Sequence, residues 1–194
     1  MSYHHGNARE VLLEVAAELL EQEGAAGLSL RRVAERAGLS RQAPYNHFDN
    51  KEALLAELAR NGFLLLARRM SSHQNGPSAI EELAAAAESY IAFGVEQPAL
   101  FRLMFGREFV DFERHPMARE AAKEALERLS FLIAGLDSRS DTHDATLVAW
   151  SLVHGYTHLC IETGLEHADD RSRRALLFAN TINALVRSQE GLLR

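Results

Sequence analysis

Apolar residues recur along this chain at intervals of three and four. No stretch alternates long enough to make a strand, so the pattern predicts one helix after another. A first stripe, Val11, Leu12, Val15, Ala16, Leu19 and Leu20, runs to Gly24, and Asn7 with Glu10 three residues on resembles a capping box at its start. Glu10, Glu14, Glu18 and Glu21 lie off that stripe and read as a solvated face. Next comes a short helix with Ser29 as its cap, Leu30, Val33, Ala34 and Ala37 at helical spacing, and Gly38 as its stop. Ser40 then caps a second short helix from Arg41 to about Phe48, with Pro44 one turn in, where it forfeits only an early backbone bond.

Asn50 caps the next helix, whose series Leu54, Leu55, Leu58, Phe63, Leu65 and Leu66 crosses Gly62, a candidate bend. Residues 73–77, His-Gln-Asn-Gly-Pro, break the pattern. Beyond them the spacing predicts helices over 79–96, from Ala99 to about Phe112, from Pro116 to Ala134, over 142–163 and over 171–189. A polar loop fills 135–144, and residues 164–170 separate the last two helices. The expectation is an all-α chain of about nine helices, divided into a reader at 1–52 and a helical body at 53–194.

Two short helices joined by so tight a turn form a helix-turn-helix pattern. Ala34 stands where the two must approach closely. The second helix offers Arg41 and Gln42, able to donate and accept at base edges, and Tyr45, Asn46 and His47, suited to phosphates or bases. Charge supports the same reading. The whole chain carries −6, yet Arg31, Arg32, Arg36, Arg41 and Lys51 face only Glu35 and Asp49 in the stretch they share.

The run Gly24…Leu28-Ser29-Leu30-Arg31-x-Val33-Ala34-x-x-Ala37-Gly38-Leu39-Ser40…Tyr45-x-His47-Phe48-x-Asn50-Lys51-Glu52-x-Leu54-Leu55 resembles the TetR (tetracycline repressor) family of bacterial transcriptional regulators. It departs from the commonest form at Pro44, where the family more often has Leu or Ile. The opening Tyr3-His4-His5-Gly6-Asn7, the Ala43-Pro44-Tyr45 form and Trp150-x-x-x-His154-Gly155 together resemble one subgroup, that with a "WHG" C-terminal domain. The resemblance implies an N-terminal three-helix reader and a C-terminal body that binds an effector and dimerises. With it, the expected DNA-binding set is Ser29, Arg31, Ser40, Arg41, Gln42, Ala43, Tyr45, Asn46, His47 and Lys51.

Composition narrows the setting. Hydrophobic residues at 47% and charged residues at 25% are ordinary for a globular protein and exclude a disordered chain. One cysteine, Cys160, cannot form an intramolecular disulfide, which favours a reducing compartment. The longest apolar runs fall far short of the roughly 18 residues a membrane span needs, and the N-terminus is polar. The expected location is the cytoplasm, with no membrane partner.

Three constellations remain. Aromatic and Met residues between 93 and 109, among them Phe101, Met104 and Phe105, read either as core or as the lining of a pocket, and the resemblance, which implies an effector cavity, draws the two readings together. His154, His158 and Glu162 stand at i, i+4 and i+8. One straight helix brings only an adjacent pair to one ion, so His154 reads as a buried histidine near the pocket, with Trp150 as its packing neighbour and no metal. The last two helices, with Leu152, Val153, Tyr156, Leu159, Leu176, Leu177, Ile182, Leu185 and Val186, carry more apolar surface than one packing face requires, and a twofold partner or a wholly internal core would cover it.

An enzyme would need a carrier for its chemistry. The chain has no Glu-x-x-His pair, no Gly-x-Ser-x-Gly elbow, no phosphate-binding glycine loop and no His-Glu-x-x-His. The residues and the resemblance together imply a non-enzymatic, cofactor-free, ligand-responsive repressor that binds a palindromic duplex operator as a homodimer and takes a small-molecule effector at Phe101, Met104, Phe105, Trp150 and His154. The alternative is a helical adaptor or small-molecule-binding protein that does not touch DNA.

Overall fold

A computed structural model of the chain describes residues 8–72, 78–136, 142–165 and 170–192, with side chains through 187. Asn7 of the expected capping box, the Tyr3–Asn7 opening, the break at 73–77 and positions 137–141 of the polar loop lie outside the described residues. Eight α-helices occupy the rest: α1 (Ala8–Gly27), α2 (Leu30–Arg36), α3 (Lys51–Ser71), α4 (Ala79–Glu96), α5 (Pro98–Phe105), α6 (Pro116–Ala134), α7 (Thr142–Thr163) and α8 (Arg171–Leu192). A single 3-10 turn, Ala43–Asn46, lies between α2 and α3. The fold is all-α, and none of the described helices is long and apolar enough to cross a membrane.

The chain divides into two units. Unit 1 comprises Met1–Phe63 and Gln97–Ala121, and unit 2 comprises Leu64–Glu96 and Ala122–Arg194.

In unit 1, α1 packs against α2, the 3-10 turn and α5. Leu12, Leu13, Ala16, Leu19 and Leu20 form the buried face of α1, as a 3.6-residue period requires. Gly24 interrupts that helix with φ +72°, a left-handed conformation that costs glycine little. The α2 helix starts and stops by local rules. The Ser29 side chain accepts from the Arg32 N–H at 3.3 Å. At the other end the Leu39 N–H reaches the Ala34 carbonyl and the Gly38 N–H the Glu35 carbonyl, a Schellman motif turned by Gly38 at φ +67°. Asn50 Oδ1 accepts from the Ala53 N–H at 2.9 Å and so caps α3.

Three sequence expectations change. Instead of a helix over 41–48 there is one 3-10 turn with Gln42 at its start, and the Ser40 backbone carbonyl, not its hydroxyl, takes the Ala43 N–H. Pro44 accounts for this: it removes a donor and disfavours the helical conformation of the residue before it. Gly62 marks close packing rather than a break in α3, since a Cβ there would fall 2.5 Å from Met104 Sδ. Helix α5 ends at Phe105, not near Phe112, because the extended Gly106 leads the chain away where a Cβ would lie 2.7 Å from the Arg102 carbonyl oxygen.

In unit 2, α4 packs on α7 and α8, and α7 packs on α8. Ser78 accepts from the Glu81 N–H and donates to its carboxylate, starting α4 with the two groups of a capping box. Leu83, Ala86, Tyr90, Ile91 and Phe93 bury the face of α4, with Ala145, Ala149 and Val153 of α7 and Ala175, Ala179, Ile182 and Val186 of α8 forming further core.

Candidate DNA-reading and effector sites

Within the reading stretch, burial separates two kinds of side chain. Leu28, Leu30, Val33, Ala34, Pro44 and Phe48 are buried. Ser29, Arg31, Ser40, Arg41, Gln42, Tyr45, Asn46 and His47 are exposed, and Ala43 is half-buried. Phe48 is fixed from two directions, by its N–H on the Pro44 carbonyl and by the Arg9 guanidinium 5.6 Å from its ring centroid. Pro44 and Phe48 thus anchor the short turn, and Tyr45, Asn46 and His47 project between those anchors.

The cations of the stretch are not equivalent. Arg32 is paired with Glu23 at 2.6 Å, whereas Arg31, Arg36 and Arg41 form no ion pair among the described residues. Lys51 is half-buried; its Nζ donates to the Ala26 carbonyl at 3.0 Å and lies 5.8 Å from the Phe109 ring centroid.

The five residues expected at an effector site fall in different units. Phe101, Met104 and Phe105 belong to unit 1, where Phe101 and Met104 are 1% exposed. Met104 fills the notch over Gly62, and the Phe105 ring meets Phe63 edge-on at 5.4 Å and Phe101 at 4.9 Å. These contacts pack Met104 and Phe105 against α3.

Trp150 and His154 belong to unit 2 and meet at a residue the sequence reading passed over, Tyr90 of α4. The Trp150 indole N–H donates to the Tyr90 oxygen at 3.3 Å, and that oxygen lies 2.9 Å from His154 Nδ1. The indole N–H can only donate, so the Tyr90 oxygen accepts from Trp150, and the direction of the Tyr90–His154 bond follows the imidazole tautomer. Burial, followed by the neighbouring His158 ring stacked 6.3 Å away, pushes the His154 pKa below its ordinary value. Burial likewise raises the Tyr90 hydroxyl well above the usual range for tyrosine. A lone tyrosine in an alanine-rich apolar helix was the available signal, because a buried phenol needs a partner.

Next to this network lies an apolar cavity of ≈ 30 Å³, lined by Met70, Leu83, Ala86, Ala87, Tyr90, Leu129, Ala149, Val153, Phe178, Ala179 and Ile182. Known ligand pockets are about ten times larger or more, so this cavity must open to hold an effector. Among the described residues no three His, Cys, Asp or Glu side chains gather as metal ligands.

Comparison with known proteins gives this arrangement its context. The family model for bacterial regulatory proteins of the tetR family matches residues 12–58, and that for the tetracyclin repressor-like C-terminal domain matches residues 83–185. The chain belongs to the TetR family. Another HTH-type transcriptional regulator, YobS of Bacillus subtilis, is 29% identical over 176 residues, covering 88% of this chain and 87% of YobS. A solved structure of a protein with unknown function from Rhodococcus sp. RHA1 aligns at TM-score 0.81 and 29% identity, covering 96% of this chain and 98% of that one. AibR, solved in complex with isovaleryl coenzyme A and operator DNA, shares the fold at TM-score 0.68 and 17% identity over 87% of this chain and 96% of its own. This TetR-family protein is accordingly a DNA-binding transcriptional regulator whose helix-turn-helix lies in unit 1, and its family is one of regulators rather than enzymes.

Proposed function

We propose that this TetR-family regulator is a cytoplasmic repressor that binds a palindromic operator as a homodimer and leaves it when a small apolar molecule enters unit 2. DNA reading is carried by residues 1–52, and effector binding and dimerisation by residues 53–194. The observation that carries the reading is the sorting of side chains in the helix-turn-helix. Ser29, Arg31, Ser40, Arg41, Gln42, Tyr45, Asn46 and His47 are exposed, while Leu30, Val33, Ala34 and Pro44 between them are buried. Arg41 and Gln42, at the start of the 3-10 turn, read base edges; Ser29, Arg31, Ser40, Tyr45, Asn46 and His47 position the backbone, with Ala43 close enough for apolar contact.

Leu147, Val148, Leu152 and Leu159 of α7 and Leu176 and Leu177 of α8 are exposed apolar residues of the kind an oligomer covers, and a second copy of the chain is the proposed cover. Two reading heads then meet half-sites roughly 34 Å apart. AibR, which shares the fold, binds an acyl coenzyme A and operator DNA, and this supports a regulator that answers to a small molecule.

In unit 2 the Tyr90–Trp150–His154 network supplies the polar group and the neighbouring cavity the apolar one. The effector must bind better to the form whose heads are misplaced for DNA, and by linkage operator DNA weakens effector binding by the same factor.

The experiment is a comparison of Gln42→Ala with the unmodified protein on duplexes selected from a random library. Altered base preference at fixed half-site positions supports the reading. An equal loss on every sequence removes Gln42 from the base-reading set.

A further inference from the structure

Three charged side chains in unit 1 bond to the backbone of elements other than their own. Lys51, opening α3, donates to the Ala26 carbonyl in the last turn of α1. Glu21 of α1 accepts the N–H groups of Ala99 and Leu100, at 3.0 and 2.8 Å, in the first turn of α5. Gln97, at the capping position of α5, makes no side-chain cap of its own, so Glu21 takes that role from 78 residues away. Glu52 of α3 accepts the Asp111 N–H at 3.2 Å and lies 3.2 Å from His115 Nε2 and 3.5 Å from the Arg114 guanidinium. Lys51 and Glu21 each complement the helix pole they face, a cation at the carbonyl end of α1 and an anion at the amide end of α5. Together the bonds close a circuit, from α3 to α1, from α1 to α5, and from the chain beyond α5 back to α3.

We infer that Lys51, Glu21 and Glu52 are positioning residues for operator reading: they fasten residues 97–115 to α1 and α3, and Lys51 spends its ammonium inside this circuit instead of on a DNA phosphate. Its partial burial, against the exposure of Arg31, Arg36 and Arg41, agrees with that assignment. The Asp111 N–H holds the Glu52 carboxyl below its ordinary pKa in spite of some desolvation, with Arg114 and His115 adding to the effect, so the carboxylate is charged when it makes these bonds.

Two of the three residues are acidic, which gives the inference a sign of its own. Removing a carboxylate from a protein that binds a polyanion should tighten binding if only overall charge matters. Removing a positioning carboxylate loosens it.

The test uses the full chain, an operator duplex recovered from genomic fragments by the unmodified protein, and a duplex of unrelated sequence, with affinity measured across a salt series. Glu52→Gln and Glu21→Gln should each weaken operator binding roughly tenfold, the scale of a lost hydrogen bond to a charged group, while leaving the unrelated duplex unchanged or slightly tighter. Lys51→Met should weaken operator binding with the slope of log K against log salt unaltered, and Lys51→Arg should restore it. The inference is overturned if Lys51→Met weakens both duplexes alike and reduces the slope by about 0.9, the signature of one lost phosphate contact. It is also overturned if the glutamine variants bind operator equally or more tightly, and this arm decides alone should Lys51→Met fail to fold. The inference rests on DNA reading by the exposed residues proposed above. A failure of that reading appears in the unmodified protein, which then prefers no duplex, and takes the inference with it; a failure of the inference alone appears only in the variants.

Discussion

Unit 1 and unit 2 both have helical apolar cores, but unit 1 adds charged side chains bonded to the backbone of other elements. In unit 1, side chains with charge and direction reach across elements to backbone groups, as Glu21 does to Ala99 and Leu100 and Lys51 to Ala26. In unit 2, α4 lies against α7 and α8 chiefly through apolar side chains, several of them alanine, and keeps a small cavity beside one polar network. Directional bonds define one arrangement, which suits a surface that must match DNA. Apolar packing has no direction and tolerates repacking at modest cost, which suits the opening that the proposed effector site requires.

The largest expected effect lies on the exterior of unit 2. Leu159→Glu, at a side chain 53% exposed, should leave the fold intact and convert the proposed dimer to monomers, with loss of the operator affinity that depends on two linked heads. Sedimentation equilibrium beside an unchanged helical circular dichroism spectrum checks it, and a Leu159→Glu dimer would place the partner elsewhere.

Next is the core of unit 1, where Phe101→Ala should cost about 3–5 kcal/mol in urea unfolding, because packed neighbours cannot collapse into the space. A much smaller cost would mean that this unit repacks as freely as its neighbour and would erase the contrast.

Tyr90→Phe is expected to cost less, about 1–2 kcal/mol, through the two hydrogen bonds to Trp150 and His154, and to weaken the response to an effector. Unchanged stability together with an unchanged response would remove the network from the site.

The smallest effect is a pH dependence. The folded-state pKa of His154 lies below its ordinary value of 6.5, so the folded form favours the neutral ring while the unfolded chain takes up a proton first. The stability this contributes is complete above about pH 6.5 and is lost as pH falls from there toward the folded pKa. Thermal unfolding from about pH 7 to about pH 5 should show the decline, and His154→Gln should flatten it.

The parts of this structure legible in the sequence are those made by neighbours. Ser29, Gly38 and Asn50 act within a few residues of themselves, and each caps or stops the helix its position implies. The turn at 43–46 was harder, because the apolar period runs through Pro44 and only the missing donor cuts the helix short. Glu21 lies on the exposed face the pattern predicts, but nothing near it in sequence announces that α5 begins beside it. Tyr90 was hidden in the same way, with its partners 60 and 64 positions along the chain. For Phe101 and Met104 the pattern predicts burial, and both are 1% exposed, but an apolar stripe is the same whether it fills a core or walls a cavity.

In the proposed complex the exposed residues of the 3-10 turn and of α2 read duplex DNA as a pair of heads. The most direct test is selection of genomic duplex fragments by the unmodified protein at one fixed salt concentration, with sequencing of what is retained and a count of chains per duplex. The expected result is a palindrome whose half-sites are centred about one helical turn apart, roughly 34 Å, bound by two chains and weakened steeply by salt. Retention of fragments with no shared sequence, or of a single half-site by one chain, would contradict it.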